Sequence, residues 1–74
     1  MTELRFNREL YQSELVDQAA KVYAHLASVE VSQDASSWVV KVGAGDSARE
    51  KKIAGELANY ALGLTVQSRA QATR

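Results

Sequence analysis

The sequence predicts a small α+β domain with the order β-α-β-β-α, in which two helices cover one face of a three-stranded sheet. Three short segments alternate apolar with polar residues, as strands buried on one side do. Two longer stretches repeat apolar residues every three or four positions, as amphipathic helices do. The chain has 74 residues and no proline, and this length accommodates a single domain.

The first strand and the first helix come from residues 3–27. Leu4 and Phe6 alternate with polar neighbours, which indicates a strand. Ser13 is expected to cap a helix that runs to about Ala27. On a helical wheel, apolar residues cover an arc of about 200°, roughly twice the width that one surface needs. We therefore expect this helix to contact the sheet and a second surface, either the other helix or a partner.

The second and third strands are predicted to form an antiparallel hairpin. Val29 and Val31 bracket a polar residue, and apolar residues alternate again over residues 38–42. The polar segment 33–37 between them is short enough for a hairpin connection. The open sheet that results has two free edges, and either edge can recruit another strand.

The second helix is predicted over residues 48–62. Ser47 and Glu50 have the spacing of a capping box, in which each side chain accepts a hydrogen bond from the other residue's backbone amide. Gly63 is a natural residue to follow the last turn. The predicted buried face consists of Ile53, Leu57, Tyr60, Ala61 and Leu64.

The domain is expected to span residues 4–66, ending in a short extended piece at residues 64–66. Residues 67–74 are polar and lack a period, so we expect them to form a flexible C-terminal tail.

The composition excludes several kinds of site and partner. The chain has no Cys and one His, which rules out a disulfide and a thiolate metal site. Nine basic and nine acidic residues give no net attraction to nucleic acid or to an acidic membrane. Without an apolar run of membrane-spanning length or a signal-peptide pattern, a cytoplasmic location is expected. A domain this small buries only about 60% of its unfolded surface, so we expect a partner or an oligomer to stabilise it.

No group of residues has the pattern of a catalytic site. The segment 43–46 lies between a strand and a helix, where phosphate loops lie, but it lacks the third glycine and the Gly-Lys of such loops. Asp46 would also repel an anion there. His25 is expected on the polar side of the first helix, without a group to orient it as a base. The sequence therefore predicts no catalytic residue, cofactor or metal.

Four residues of the second helix are candidate contacts to a partner, namely Gly55, Glu56, Asn59 and Leu62. Leu62 lies about 180° from Ile53 on the wheel, away from the buried face, and Gly55 lies beside it. Glu56 and Asn59 lie near the edge of the apolar face, where they are either plain surface or polar contacts to a partner. Because single exposed leucines are common on monomers, only a contiguous patch would indicate an interface.

Three segments resemble the small HxsD-like proteins of His-Xaa-Ser peptide-modification systems. They are Leu4–Tyr11 (LRFNRELY), Val16–Tyr23 (VDQAAKVY) and Glu56–Gly63 (ELANYALG). The resemblance extends from about Leu4 to Leu64 and carries no catalytic signature. It implies an accessory protein beside a radical-SAM maturase that modifies a ribosomally made precursor peptide. Such a protein would bind the maturase, the precursor peptide or both.

The chain itself is neither of those two partners. It lacks a His-Xaa-Ser repeat, since His25 is followed by Leu-Ala, and it lacks the Cys ligands of an iron–sulfur cluster. The sequence thus favours a non-catalytic accessory protein that binds a protein or peptide. The alternative is a self-assembling homodimer joined by strand edges or by the wide apolar face of the first helix.

Overall fold

The computed structural model of the protein describes residues 1–72 and contains five elements in the predicted order. They are β1 (Thr2–Asn7), α1 (Ser13–Tyr23), β2 (Ser28–Gln33), β3 (Ser37–Gly43) and α2 (Ser47–Ala72). The strands form one antiparallel sheet in the order β1-β3-β2, so the last strand in sequence lies at its centre. The α+β class and the β2–β3 hairpin are therefore confirmed.

The register of the sheet places the apolar residues of all three strands on one face. Phe6 pairs with Trp38, while Leu4 and Val31 both pair with Val40 from opposite sides. Side chains alternate across a strand, so these residues share the face that the helices cover. α1 packs most extensively on α2, and on the sheet it packs mainly on β2, whereas α2 packs on β1 and β3. The opposite face carries the polar residues expected there: Glu3, Arg5, Asn7, Glu30 and Lys41.

The core lies between this face and the two helices. Its largest fully buried side chains are Leu57, Val16, Val40 and Val42. Each is worth about 1.5–3 kcal/mol when fully removed from water. As predicted from its wide apolar arc, α1 contacts both the sheet and α2. The buried cluster is completed by Phe6, Ala19, Ile53, Ala54 and Ala61.

α1 is shorter than predicted. It ends at Tyr23 rather than at Ala27, and the amides of Leu26 and Ala27 then bond to the Tyr23 carbonyl in a tight turn. Because β2 begins at Ser28, a helix through Ala27 would leave no residues for the reversal into the sheet. Ser13 is the first helical residue rather than the cap, and no side chain caps this end.

The start of α2 also differs from the prediction, because the expected capping box does not form. Asp46, not Ser47, caps the helix: its carboxylate accepts the amide two residues later at 3.2 Å. Glu50 instead accepts the Ala44 amide at 3.2 Å and the Thr2 hydroxyl at 2.7 Å. Its carboxylate therefore joins the helix start to the preceding loop and to β1.

The end of α2 lies well beyond the predicted end at Leu62. Residues 64–66, expected to be extended, are helical, and so are residues 67–72 of the expected tail. Residues 73 and 74 of that tail lie outside the described residues. The flexibility expected for residues 67–74 stays a prediction.

Continued packing explains why Gly63 does not end the helix. Thr65 is buried, and its hydroxyl donates to the Ala61 carbonyl at 2.8 Å. Ala61 and Thr65 extend the buried face that Leu57 begins, so stopping at Gly63 would expose it. Gly63 does not have the positive φ of a helix-ending glycine. An internal glycine costs about 1 kcal/mol relative to alanine, which this packing offsets.

We expect Gly63→Ala to raise the free energy of unfolding by about 0.5–1 kcal/mol, because alanine favours a helix interior. A Cβ atom at this position meets nothing within 4 Å, so no clash offsets the gain. Urea denaturation of both proteins measures the difference. A loss of stability would contradict a continuous helix, since alanine is unfavourable in the left-handed conformation of a helix-ending glycine.

Stability should also depend on the charge of Glu50. The hydrogen bond from Thr2, and then that from Ala44, lower the pKa of this carboxyl from its ordinary value of 4.5. A lowered pKa contributes stability above the unfolded-state pKa, and this stability is lost as the pH falls through the folded-state pKa. We expect Glu50→Gln to lower the free energy of unfolding at pH 7 and to flatten its decline below about pH 4.5.

The matched control for this measurement is Glu56→Gln, at an exposed glutamate on the same helix. Urea denaturation at pH 7 and pH 3 should show little change for the control. An acid decline of the same size in both variants would contradict the role of Glu50.

Candidate functional site

The four candidate partner residues all lie on the solvent side of α2. Gly55, Glu56, Asn59 and Leu62 are exposed. Gly55, Asn59 and Leu62 recur at the i, i+4 and i+7 spacing of one helical stripe. Glu56 lies about 60° around the helix from Asn59, on the side away from Leu62. The structure thus brings three of the four together.

Val66 extends this stripe and is missing from the sequence-based set. It follows Leu62 by four residues, so the two side chains are neighbours on the helix surface. Leu62 is 48% exposed and Val66 is 58% exposed. The four-residue spacing of Leu62 and Val66 could have revealed this pair from the sequence. The helix was predicted to end at Leu62, however, so Val66 was not considered part of it. We call the stripe of Gly55, Asn59, Leu62 and Val66 the outer face of α2.

α2, which carries this outer face, is longer than the sheet that it covers. The 26 residues of α2 span roughly 39 Å at 1.5 Å per residue. The seven residues of β3 span roughly 23 Å at 3.3 Å per residue. α2 starts next to β1, where Glu50 meets Thr2, and its far end is held by a bond from Arg69 to the Leu10 carbonyl at 3.3 Å. The last turns of α2 therefore extend past the end of the strands.

A second surface lies where α1 meets the free edge of β2. An open groove with a volume of about 630 Å³ runs there. Val31 is 42% exposed although its side chain is on the helix-covered face, because α1 does not fully cover the edge strand. Val16, Val31 and Trp38 form the apolar wall. The polar lining consists of Ser13, Glu14, Asp17, Ser32 and Gln33.

Trp38 is fixed in place by contacts on two sides. Its indole Nε1 donates to the Tyr11 carbonyl at 2.8 Å, and the Arg8 guanidinium lies 4.7 Å from the ring centroid. A cation over an aromatic face is worth about 0.5–1 kcal/mol at exposed sites. Arg8 also donates to the Asp34 carbonyl at 3.0 Å. The apolar wall of the groove is therefore preformed.

The open face of the sheet carries an ion-pair network that begins on β1. Arg5 donates to Glu3 at 2.8 Å and also to Asp34 in the β2–β3 turn. Backbone amides, first that of Ser36, and the Arg5 guanidinium lower the pKa of Asp34. Val39 pairs with Arg5 in this register and is only 6% exposed, although it lies on the open face. The charges on this side of the sheet are thus mostly paired with one another.

The glycine loop before α2 uses its backbone donors within the chain. The Ala44 amide bonds to Glu50, and the Ala48 amide bonds to Asp46. A phosphate would have to displace both carboxylates to reach these donors. His25 is exposed in the turn after α1, not on the helix as predicted. Within residues 1–72, no three His, Cys, Asp or Glu side chains lie together as a group that could hold a metal ion.

Comparison with known proteins does not place the chain in a family. No protein-family model matches it, and neither do any of the curated proteins or solved structures. In the part of the chain that the structure describes, no helix has the length and apolar character needed to cross a membrane. The candidate functional surfaces are the outer face of α2 and the groove beside β2, and they rest on the geometry described above.

Proposed function

We propose that the protein is a non-catalytic accessory protein of a peptide-modification system and binds the maturation enzyme through the outer face of α2. The observation that carries this proposal is the exposed pair of Leu62 and Val66, side by side on a helix that extends past its own sheet. The resemblance of residues 4–64 to HxsD-like proteins supports a radical-SAM maturase as that enzyme.

The outer face of α2 has the geometry of a helix that docks into a groove. Its residues repeat at i, i+4, i+7 and i+11, the pattern by which amphipathic helices contact hydrophobic partners. Covering the exposed halves of Leu62 and Val66 would contribute on the order of 1 kcal/mol each. Gly55 has nothing within 4 Å of its Cβ position, so a partner can approach the backbone closely there.

Self-assembly through the same face is the second candidate function. Gly55, Asn59, Leu62 and Val66 carry no charge, so two copies of α2 could pack without repulsion along this stripe. A stable dimer usually buries about 1,200–2,000 Å² in total, which would require contacts well beyond these four residues. An enzyme complex has the same need, so it is the resemblance that makes an enzyme partner the favoured occupant.

Two aspartate substitutions on α2 separate binding from folding. Leu62 is half exposed, so Leu62→Asp should cost less than about 1 kcal/mol of folding free energy but should abolish the complex. Leu57 is 0% exposed, so Leu57→Asp would place a charged side chain in the core. The total stability of such a domain is about 5–15 kcal/mol or less, and we expect this variant to unfold. Thermal melting gives the folding effect, and light scattering of co-expressed proteins gives the mass of the complex.

The proposal predicts that a radical-SAM enzyme is encoded beside this chain, and that enzyme is the partner for this experiment. Gln67→Asp, on another side of the same helix, is the matched control and should keep the complex. A complex that survives Leu62→Asp, or equal unfolding by Leu62→Asp and Leu57→Asp, would refute the interface. The alternative outcome is that the isolated wild-type chain has twice the 8.1 kDa mass of one chain. If Leu62→Asp reduces that mass, self-assembly would be established.

A further inference from the structure

We propose that the free edge of β2 binds an extended peptide segment in which apolar and basic residues alternate. The segment would add a fourth strand, antiparallel to β2 as both existing pairs of the sheet are, and would place its apolar side chains in the groove beside α1. This surface is separate from the outer face of α2, and the inference does not depend on the function proposed for that face.

The backbone of β2 offers its hydrogen-bonding groups to such a strand. The Asp34 amide donates to the Ser37 carbonyl at 3.0 Å, so it points toward β3. In an antiparallel pair the direction alternates from one residue to the next. Val29, Val31 and Gln33 therefore point their N–H and C=O groups away from β3, toward the free edge.

β1, the other edge of the sheet, is protected. The Arg8 amide donates to the Ser36 carbonyl at 3.0 Å, which by the same alternation turns Glu3, Arg5 and Asn7 toward the free edge of β1. Glu3 and Arg5 are charged and paired with each other, and charged side chains discourage strand addition. β2 has no proline, no lysine and six uninterrupted pairs with β3, and its one charged residue, Glu30, points its backbone groups toward β3. No charged residue therefore presents its backbone at this edge.

The groove determines which side chains the added strand would place toward α1. The residues with backbone groups at the free edge of β2 are also those with side chains on the helix-covered face. Residues of the added strand opposite them would point the same way, over Val16, Val31 and Trp38. These positions favour apolar side chains. Because every second residue of the added strand points into the groove, apolar residues are expected at alternate positions of that strand.

Negative charge borders this edge on both faces of the sheet. Glu14 and Asp17 line the groove, and Glu30 lies on the opposite face of β2. Among the described residues, Asp17 pairs only with the exposed Lys21 at 3.1 Å, while Glu14 and Glu30 form no ion pair. Cross-strand neighbours of opposite charge stabilise a sheet. Glu30 is the acidic group on the face away from the groove, and Lys41 of β3 is its cross-strand neighbour on the other side. A basic residue of the added strand is therefore favoured beside Glu30, while Glu14 and Asp17 add negative potential on the groove side.

The same charges disfavour a second copy of this chain as the added strand. In the two-fold pairings of β2 with itself that overlap the most residues, the two Glu30 side chains lie directly opposite or one diagonal step apart. The acidic residues Glu14 and Asp17 of the two α1 helices would also approach each other. Like charges across strands are destabilising, so a basic segment of another molecule is the better occupant.

Synthetic peptides test the requirement for backbone pairing and for basic residues. The probe is a fluorescent nine-residue peptide of alternating valine and lysine, and fluorescence anisotropy measures its binding. We expect affinity to fall at least about tenfold when each valine is N-methylated, because those amides face β2. A similar loss is expected when glutamate replaces lysine. Equal binding of the N-methylated or glutamate peptide would overturn the proposal.

Substitutions in the protein test the location. The Val31 amide faces the free edge, so Val31→Pro keeps the ladder to β3 while blocking a new strand, and affinity should drop at least about tenfold. Glu3→Pro makes the matched change on the edge of β1 and should bind as the wild type does. Glu30→Lys should weaken binding about fivefold, whereas Glu9→Lys, an exposed change of equal charge, should not.

Amide chemical shifts of the wild-type protein give a readout that does not depend on any variant folding. The probe should shift the amides of Val29, Val31 and Gln33, and shifts confined to β1 would overturn the proposal. Leu62→Asp should leave peptide binding intact, which distinguishes this surface from the outer face of α2. If the wild-type protein is a dimer and Val31→Pro converts it to a monomer, the strand that binds this edge would be β2 of a second copy instead.

Discussion

The packing of α2 against the sheet is the interaction on which the rest of the structure depends. Its buried face continues from Ile53 through Leu57 and Ala61 to Thr65 without a break. Because this face is continuous, the helix passes through Gly63 and extends beyond the sheet. The exposed pair of Leu62 and Val66 is a consequence, since a helix that ended at Leu62 would not place Val66 beside it.

The lengths of the two helices explain the different character of the two sheet edges. α2 extends along the whole of β1, and Glu50 and Arg69 fix its two ends to Thr2 and to the Leu10 carbonyl. α1 must stop at Tyr23 so that the chain can turn into β2, and it covers that strand incompletely. The exposure of Val31 and the groove beside it follow from the shorter helix.

Periodicity in the sequence was sufficient to predict the elements and most of their buried residues, because it reports which side of an element is buried. Tyr60, assigned to the buried face of α2, is instead 36% exposed. Leu4 and Phe6, and Ile53 and Leu57, were all assigned to the correct side. The ends of both helices were predicted wrongly, because they depend on contacts distant in sequence. Gly63 is locally a stop signal that the burial of Thr65 overrides.

Strand order and the groove could not be predicted for a related reason. Local patterns do not specify which strand is central, and the groove exists only because β3 lies between β1 and β2. The capping box illustrates the same limit at Glu50. Its spacing from Ser47 is correct, but Thr2 and Ala44, brought together by the fold, offer this carboxylate better donors than the start of its own helix does.

The two proposed surfaces lie on opposite flanks of the domain, and this arrangement matters for an accessory protein. Tyr60 marks the side of α2 that faces α1, since its ring meets that of Tyr23 edge-on at 6.2 Å. Leu62 lies about 160° around the helix from Tyr60, so the outer face of α2 points away from α1. The free edge of β2 lies on the other side of α1. An enzyme bound to α2 would therefore leave the β2 edge open, and one copy of this small domain could hold a protein and an extended peptide together.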